Sequence, residues 1–423
     1  MPSQKKNSRT VGVVHEICCG VDVHKRSISA CVIWTDEQGE EQTELAEFQT
    51  FTDELIRFKE WLLERGCPVV AMESTGSYWM PVHNILEGSF EVIVVNARHM
   101  KNVPGRKTDI ADSIWLAGLL RHGLLKGAFI PPKQQRQWRD LTRLRKSYRE
   151  DLGDVKRRVH KLFQEANIKM DSVVSDLFGA TGRNLMKVLV SKDSALTLSE
   201  IESGAMGSLR EKCQELYRSV QGYFEEHHRF LLALLLETIE KLESQIEVLD
   251  ERIRQSMETV EEKMEKLKEI PGISDISAYA IVSEVGPDLE AFPSAEALAS
   301  WCGLSPGNNQ SGGKRFSGRS RVRNNRLKTI MVEVAWPAIK KKGSYYKAKY
   351  YALKSRLGPN KAIIAVAHRI LKAVYQVLKH DKAFKDLGEA YLLTLHAKSR
   401  LRYLRKQAAQ LGYSLVPYAQ LQP

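Results

Sequence analysis

Short apolar runs alternate with amphipathic stretches through the N-terminal third of the 423-residue chain. This order predicts three strands, then a helix, a strand, a helix, a strand and a final helix. The predicted elements are Ile17–Val23, Ser27–Trp34, Glu44–Phe51, Leu55–Leu63, Val69–Met72, Trp79–Leu86, Phe90–Val95 and a helix from its N-cap Thr108 to Arg121. Three consecutive strands joined by hairpins, followed by alternating helices and strands, favour a mixed sheet with helices on both faces.

Two long periodic stretches occupy the middle of the chain. The first runs from Gln134 to Ala166, and the second runs from Leu235 to Leu267 with a stutter in its heptad pattern between Ile253 and Met257. Both predict long helices that are able to pair with each other as a hairpin or with a second subunit. Residues 171–219 lie between them, contain glycine breakers and predict several short helices. The family resemblance described below implies that this stretch is a candidate insertion.

The C-terminal third is predicted to be mainly helical. Ile270–Gly286 contains a Pro-Gly turn that leads into a helix, as in half of a helix-hairpin-helix, where N-terminal amides can meet a nucleic-acid phosphate. Further helices are predicted at Ala295–Cys302, Ile330–Trp336 and Ala362–Leu378, and the basic tail past Lys398 is expected to be poorly ordered.

The predicted fold class is therefore α/β + α. It combines a mixed-sheet domain, a coiled-coil helical middle and a mainly helical C-terminal domain with a helix-hairpin-helix-like element. The predicted domain bounds are 12–130, 134–269, 270–380 and, for the basic tail, 381–423.

Composition favours a polyanionic partner. The chain has 64 Lys and Arg residues against 51 Asp and Glu residues, a formal net charge of +13. Its polar, basic N-terminus does not predict a signal peptide, and the longest apolar run, Phe230–Leu236, is too short to span a membrane. Six cysteines without CxxC spacing predict buried thiols in a reducing cytoplasm rather than disulfides or zinc ligands; they are Cys18, Cys19, Cys31, Cys67, Cys213 and Cys302.

A basic segment near residue 311 is the first candidate for chemistry. From Lys314 to Lys328 there are seven basic residues and no acidic one. Arginine gives bidentate bonds to phosphate oxygens, and a serine hydroxyl such as that of Ser311 can act as a nucleophile on phosphorus. The candidate nucleic-acid ligands are Lys314, Arg315, Arg319, Arg321, Arg323 and Arg326. A plain solvated loop that only binds a nucleic-acid backbone fits the same composition.

Four acidic residues of the predicted sheet domain are candidate metal ligands because of their positions. Asp22 lies within the first strand, where a lone carboxylate is costly unless it is paired or binds a cation, and Glu73 ends a short strand. Asp109 and Asp112 are three residues apart near the start of a helix. Oxygen ligands from separate elements suit Mg²⁺, and two such ions about 4 Å apart would clamp a phosphoryl transfer. Each acid also fits a structural role, in a turn or beside a helix dipole.

Three motifs carry a resemblance to a known family. Gly20–Lys25, Met72–Gly76 and Gly105–Asp112 resemble the DEDD transposases of the Piv/MooV type, whose insertion sequences form the family called one-ten. The resemblance implies an N-terminal domain like RuvC, which is an RNase H-like resolvase. It also implies a Mg²⁺-binding tetrad composed of Asp22, Glu73, Asp109 and Asp112. Asn96-Ala97-Arg98 falls where the family has an Asn-Pro-Arg-like turn, with Ala97 in place of the usual proline.

The segment Leu267–Leu378 resembles the second catalytic domain of the same family, through its Gly303-Leu-Ser-Pro and Gln310-Ser-Gly motifs. The resemblance implies that Ser311, rather than Ser305, Ser317 or Ser320, cuts DNA and holds one end as a phosphoserine. It further implies a structured guide RNA and a homo-oligomer, dimer or tetramer, in which acids and serine meet within one chain or between subunits. Where the family usually has a Lys/Arg-Gly-Asn turn, this chain has Arg323-Asn324-Asn325.

These patterns, together with the family resemblance, favour a DNA transposase that uses Mg²⁺; exchange of strands through a phosphoserine is what the resemblance implies. Two other functions remain compatible with the sequence. One is an RNase H-like junction nuclease in which the acids cut with water and Ser311 only binds phosphate. The other is a non-catalytic, basic coiled-coil protein that binds nucleic acid.

Overall fold

The computed structural model describes residues 12–74, 76–95, 109–306, 309–311, 314–317 and 325–416 of the protein. The chain divides into two compact units, Met1–Ile130 and Pro131–Pro423. The finer division into a middle region, a serine-bearing domain and a tail stays a prediction. Across the described residues, no helix combines the length and the apolar character that a membrane crossing requires.

The N-terminal unit contains the predicted mixed sheet. Its elements are β1 (Ile17–Val23), β2 (Ser27–Thr35), β3 (Glu41–Gln49), α1 (Thr52–Glu64), β4 (Val69–Glu73), α2 (Trp79–Leu86), β5 (Glu91–Val95) and α3 (Asp109–Arg121). The strand order is β3-β2-β1-β4-β5. Strands β1, β2 and β3 pair antiparallel, whereas β4 is parallel to both β1 and β5. The predicted element order is confirmed, although the Thr108 cap lies outside the described residues.

Helices cover both faces of this sheet, as predicted. Because successive side chains of a strand point to opposite faces, Cys19 and Val21 of β1 pack with α1 and α2 residues such as Phe58. Cys18 packs on the other face with Leu116 of α3. All six cysteines of the chain are free and buried, which confirms the predicted buried thiols. Burial raises the pKa of the Cys18 thiol to about 12.

The middle of the chain forms an antiparallel hairpin of α4 (Lys133–Glu165) and α8 (Glu226–Ser256). Lys156 binds Glu243 at 3.3 Å, and nearer the other end Arg145 pairs with Asp250, so the predicted pairing occurs within one chain. As predicted, short helices lie between the arms. Three of them contribute to the same hydrophobic core as the arms. They are α5 (Ala180–Ser191), α6 (Leu198–Gly204) and α7 (Cys213–Ser219).

The second arm is not one continuous helix, contrary to the heptad prediction. Helix α8 ends at Ser256, a 3₁₀ turn covers Glu258–Val260, and α9 (Glu261–Lys268) follows. The indole of Trp138 donates a hydrogen bond to the Ser256 carbonyl at 3.0 Å, while the Ser256 hydroxyl donates to the Ile253 carbonyl at 3.0 Å. The bond from Trp138 occupies the Ser256 carbonyl, which a continuing helix would have used, and the break coincides with the stutter.

The remaining elements are mainly helical. They are α10 (Asp275–Val285), α11 (Ala295–Cys302), β6 (Asn309–Ser311), β7 (Lys314–Ser317), α12 (Asn325–Ala338), α13 (Tyr345–Leu357), α14 (Pro359–His380) and α15 (Gly388–Gln410). The expectation of a poorly ordered tail past Lys398 is wrong, because α15 continues to Gln410. Its Leu, Ala, Lys, Arg and Gln residues are strong helix formers.

Candidate active site

Asp22 and Glu73 lie side by side at the carboxyl ends of two neighbouring parallel strands. The register pairs Gly20 with Ala71 and Val21 with Met72, so the next position along each strand holds Asp22 and Glu73. Strand alternation places both carboxylates on the face that α3 covers. Asp22 is only 14% exposed and Glu73 is half-buried. Two oxygen donors thus meet at one edge of the sheet.

Helix α3 crosses directly over Gly20. A Cβ atom at Gly20 would lie 2.3 Å from the Ser113 carbonyl oxygen and 2.4 Å from the Ala117 amide nitrogen. The Cys18 thiol meets the Ala117 carbonyl at 3.5 Å. Cys18 lies beside Ala117 and Gly20 lies beside Ser113, so α3 runs in the direction opposite to β1. The N-terminus of α3 therefore points toward the edge that holds Asp22. Asp112, which is exposed, lies in that first turn.

The close approach at Gly20 predicts a large effect of one added methyl group. Gly20→Ala is expected to lower the free energy of unfolding of the protein by more than about 2 kcal/mol, because the atoms it meets are backbone atoms that cannot rotate away. Chemical denaturation followed by circular dichroism measures the change.

Gly118→Ala is the matched control for this substitution. Gly118 lies on α3 itself, and nothing lies within 4 Å of its added Cβ. The control is expected to be neutral or to stabilise the helix by about 0.5–1 kcal/mol. Equal stability of the two variants would contradict the described packing of α3 on β1.

The predicted tetrad is only partly described. Asp109 begins α3, but its side chain lies outside the described part of the structure. Among the described residues, no three acidic, histidine or cysteine side chains come close enough together to hold a metal ion. The donor set itself fits a hard cation such as Mg²⁺, because Asp22, Glu73 and Asp112 offer only carboxylate oxygens. The predicted Asn96-Ala97-Arg98 turn lies outside the described residues.

Asp22 has a hydrogen-bonding neighbour that the sequence did not reveal. Its Oδ2 atom lies 3.0 Å from Nε2 of His24. The spacing of two residues along an extended chain, which places both side chains on one face, is the signal that could have pointed to this pair.

The segment around Ser311 is a short two-stranded ribbon rather than an open loop. Strands β6 and β7 pair antiparallel, with Ser311 opposite Lys314. The two glycines between them are a sequence signal for a hairpin that the loop interpretation missed. The side chains of Ser311, Lys314 and Arg315 are not among the described features, and the predicted ligands at positions 319, 321 and 323 lie outside the described residues.

A groove with a volume of about 930 Å³ lies within the C-terminal unit. Side chains of α4, the first turns of α10 and part of α12 line it, including Arg149 and Arg326. Lys146 on its wall binds Glu333 at 3.0 Å. Arg149 and Arg326 are exposed, and neither has an acidic partner within the described part of the chain. The groove therefore contains two guanidinium groups that are available to a phosphate backbone.

A buried ion pair fixes α10 against α4 beside this groove. Glu284 is 2% exposed and accepts hydrogen bonds from Arg143 at 2.9 and 3.0 Å. Burial lowers the pKa of the neighbouring Arg139 to about 10, while Glu284 opposes that shift. The predicted Pro-Gly turn and helix are present: Gly272 has a φ of +90° and α10 follows, capped by Ser274. Any Cβ at Gly272 would lie 2.2 Å from the Val334 carbonyl oxygen.

Family comparisons cover both units. A DEDD transposase family model matches residues 19–168, and a model described as "Transposase IS116/IS110/IS902 family" matches residues 264–352. The "Mini-circle putative transposase for IS117" of Streptomyces coelicolor is 25% identical over 346 residues, covering 74% of this chain and 81% of that protein. The "Putative transposase y4pF/y4sB" of Sinorhizobium fredii is 25% identical over 161 residues, covering 37% and 41% respectively.

Two solved structures resemble the chain over 26% of its length and 99% of their own. One is Thermus thermophilus RuvC, with 14% sequence identity and a TM-score of 0.22. The other is the T. thermophilus RuvC complex with a Holliday junction substrate, with 13% identity and a TM-score of 0.21.

Proposed function

The chain belongs to the IS116/IS110/IS902 family of transposases, and we propose from this premise that it cuts and rejoins DNA through a covalent phosphoserine at Ser311. The proposed metal ligands are the tetrad Asp22, Glu73, Asp109 and Asp112. The finer assignment of the N-terminal unit to a RuvC-like fold belongs to the same proposal.

One observation supports the proposal most strongly. The parallel register of β1 and β4 makes Asp22 and Glu73 neighbours on the α3 face, at the edge toward which the N-terminus of α3 points. Acids that were 51 positions apart in the sequence are thereby brought to one place, together with the helix that carries Asp109 and Asp112. Separate structural roles for the individual acids, in a turn or beside a helix dipole, would not require them to lie close together.

The proposed reaction conserves one phosphodiester bond at each step. The Ser311 oxygen forms a bond to phosphorus, one P–O bond of the DNA strand breaks, and the serine proton is transferred to the departing oxygen. A DNA hydroxyl later attacks the phosphoserine and restores the serine. When bound, Mg²⁺ would supply Lewis acidity at the phosphate. The arginines beside Ser311 would bind the non-bridging oxygens and offset their charge.

The proposal extends to partners. DNA is the substrate, and we propose that a structured RNA chooses its sequence and that the active form is a homo-oligomer. Support for the RNA and the oligomer comes from the family resemblance, and the net charge of +13 supports a polyanionic partner. Six buried, free thiols support the cytoplasm as the location.

A denaturing gel tests the proposal. The protein is incubated with Mg²⁺, labelled DNA that carries the ends of the element, and RNA transcribed from its flanks. A slowly migrating DNA band that proteinase K removes and EDTA prevents is expected. Free nicked DNA without any protein-bound band would contradict the phosphoserine and indicate a nuclease that cuts with water.

The groove in the C-terminal unit predicts a measurable salt dependence. The slope of log affinity against log salt is negative, and Arg149→Ala and Arg326→Ala are each expected to reduce its magnitude by about 1, because each loses one phosphate contact. Fluorescence anisotropy with a labelled random-sequence DNA duplex at several salt concentrations measures the slope.

Arg158→Ala is the matched control for these two variants. Arg158 is exposed on α4, two and a half turns from Arg149 and hence on the opposite side of the helix. Its slope is expected to remain at the wild-type value. A loss in Arg158→Ala as large as that in Arg149→Ala would contradict a role for the groove.

A further inference from the structure

We propose that His24 is a positioning residue for Asp22, which it holds in the orientation that presents the other carboxylate oxygen to a divalent cation. The inference rests on the proposed function, because it assumes that Asp22 binds the metal. It concerns a histidine to which neither the sequence motifs nor the comparisons assign a role.

When Asp22 is ionised, the hydrogen bond between the two side chains can have only one direction. A carboxylate is only an acceptor, so the His24 ring must donate from Nε2 to Oδ2 across the 3.0 Å that separates them. Oδ1 and the remaining lone pairs of Asp22 stay outside this bond. A hydrogen bond to one oxygen restricts rotation of the carboxylate and thereby directs its second oxygen.

His24 is itself held firmly, which a positioning residue requires. Its backbone amide donates to the Ser27 carbonyl at 2.9 Å, closing the turn between β1 and β2. Thr50 braces the same turn, since its hydroxyl donates to the Lys25 carbonyl at 2.9 Å and its amide donates to the Arg26 carbonyl at 3.2 Å. The imidazole therefore extends from a fixed backbone to the end of β1.

The exposed fraction of the His24 side chain indicates that this residue does not simply fill the core. The His24 side chain is 46% exposed, whereas Asp22 is 14% exposed. The ring thus adds little buried area, and on this face it contacts the Asp22 carboxylate. Removal of the ring is expected to affect the orientation of Asp22 much more than the stability of the unit.

Mn²⁺ binding to the full-length protein, followed by the electron paramagnetic resonance signal of free Mn²⁺, tests the inference without catalysis. The binding that disappears in Asp22→Ala defines the site. His24→Ala is expected to weaken that binding by about 10–100-fold, the usual effect of removing a partner of a ligating carboxylate. His24→Gln, whose amide nitrogen can donate from a similar position, is expected to retain affinity within about threefold.

His122→Ala serves as the control, because His122 follows the C-terminal end of α3 and its ring hydrogen-bonds with the Gly12 carbonyl, at 3.4 Å. Wild-type affinity in His24→Ala, alongside loss in Asp22→Ala, would overturn the positioning role and leave the metal site intact. Unchanged binding in Asp22→Ala would instead overturn the proposed metal site, and the inference with it. Matching thermal melts of all variants exclude unfolding as the cause.

Discussion

Ser311→Ala is expected to abolish the protein-bound DNA band completely while leaving affinity for DNA within about twofold. The alanine lacks the oxygen that forms the bond to phosphorus, and neighbouring groups cannot replace it, because a nucleophile must be aligned with the scissile bond. The side chain lost is small, and β6 pairs with β7 through the backbone at this position. The ribbon is therefore expected to persist. A denaturing gel and an anisotropy titration measure the two quantities.

Ser305→Ala is the matched control for this variant. Ser305 is a second serine of the same motif and lies between α11 and β6. Its removal is expected to leave the protein-bound band at wild-type intensity. Persistence of the band in Ser311→Ala would refute Ser311 as the nucleophile, and loss of the band in Ser305→Ala alone would transfer that role to Ser305.

Asp22→Asn is expected to slow strand cleavage by about 1,000-fold at saturating DNA. A neutral amide keeps the shape of the side chain but removes the charge that attracts a cation, and stabilisation by a bound metal amounts to several kcal/mol in the transition state. Binding of DNA is expected to change little, because Asp22 is mostly buried. Single-turnover cleavage of labelled DNA provides the rate.

Asp53→Asn provides a control with the same change of charge in the same unit. Asp53 is exposed in the first turn of α1, on the face of the sheet opposite α3. It is expected to cleave at the wild-type rate. If Asp22→Asn cleaved as fast as Asp53→Asn, Asp22 would have no role in the chemistry.

Much of the N-terminal unit could be predicted from the sequence, because its apolar runs have the length and spacing of strands. Ile17–Val23 and Trp79–Leu86 were predicted with the bounds that the structure gives. The position of Asp22 within a strand could also be read directly. That Glu73 lies beside Asp22 followed only from the family resemblance, because the register between β1 and β4 is set by packing on both faces, which a linear pattern does not show.

Other features escaped sequence reasoning for specific physical reasons. The heptad pattern continued through Ser256, but the helix ends there, where the indole of Trp138, far away in the sequence, donates a hydrogen bond to the Ser256 carbonyl. The prediction of a poorly ordered tail past Lys398 considered only its basic charge, whereas the helix propensity of its residues favours the helix that the structure contains. Arg149 is one basic residue among many in the sequence of α4, and its place in a groove depends on α10 and α12.

The most direct test of the central claim is mass spectrometry of the protein–DNA product. After nuclease and trypsin digestion, the peptide that ends at Lys314 is fragmented to locate the residual nucleotide. The account predicts a nucleotide joined to the Ser311 oxygen and its absence when Asp22→Asn is used. A nucleotide on another residue, or an unmodified peptide from a reaction that has cut its DNA, would contradict the account.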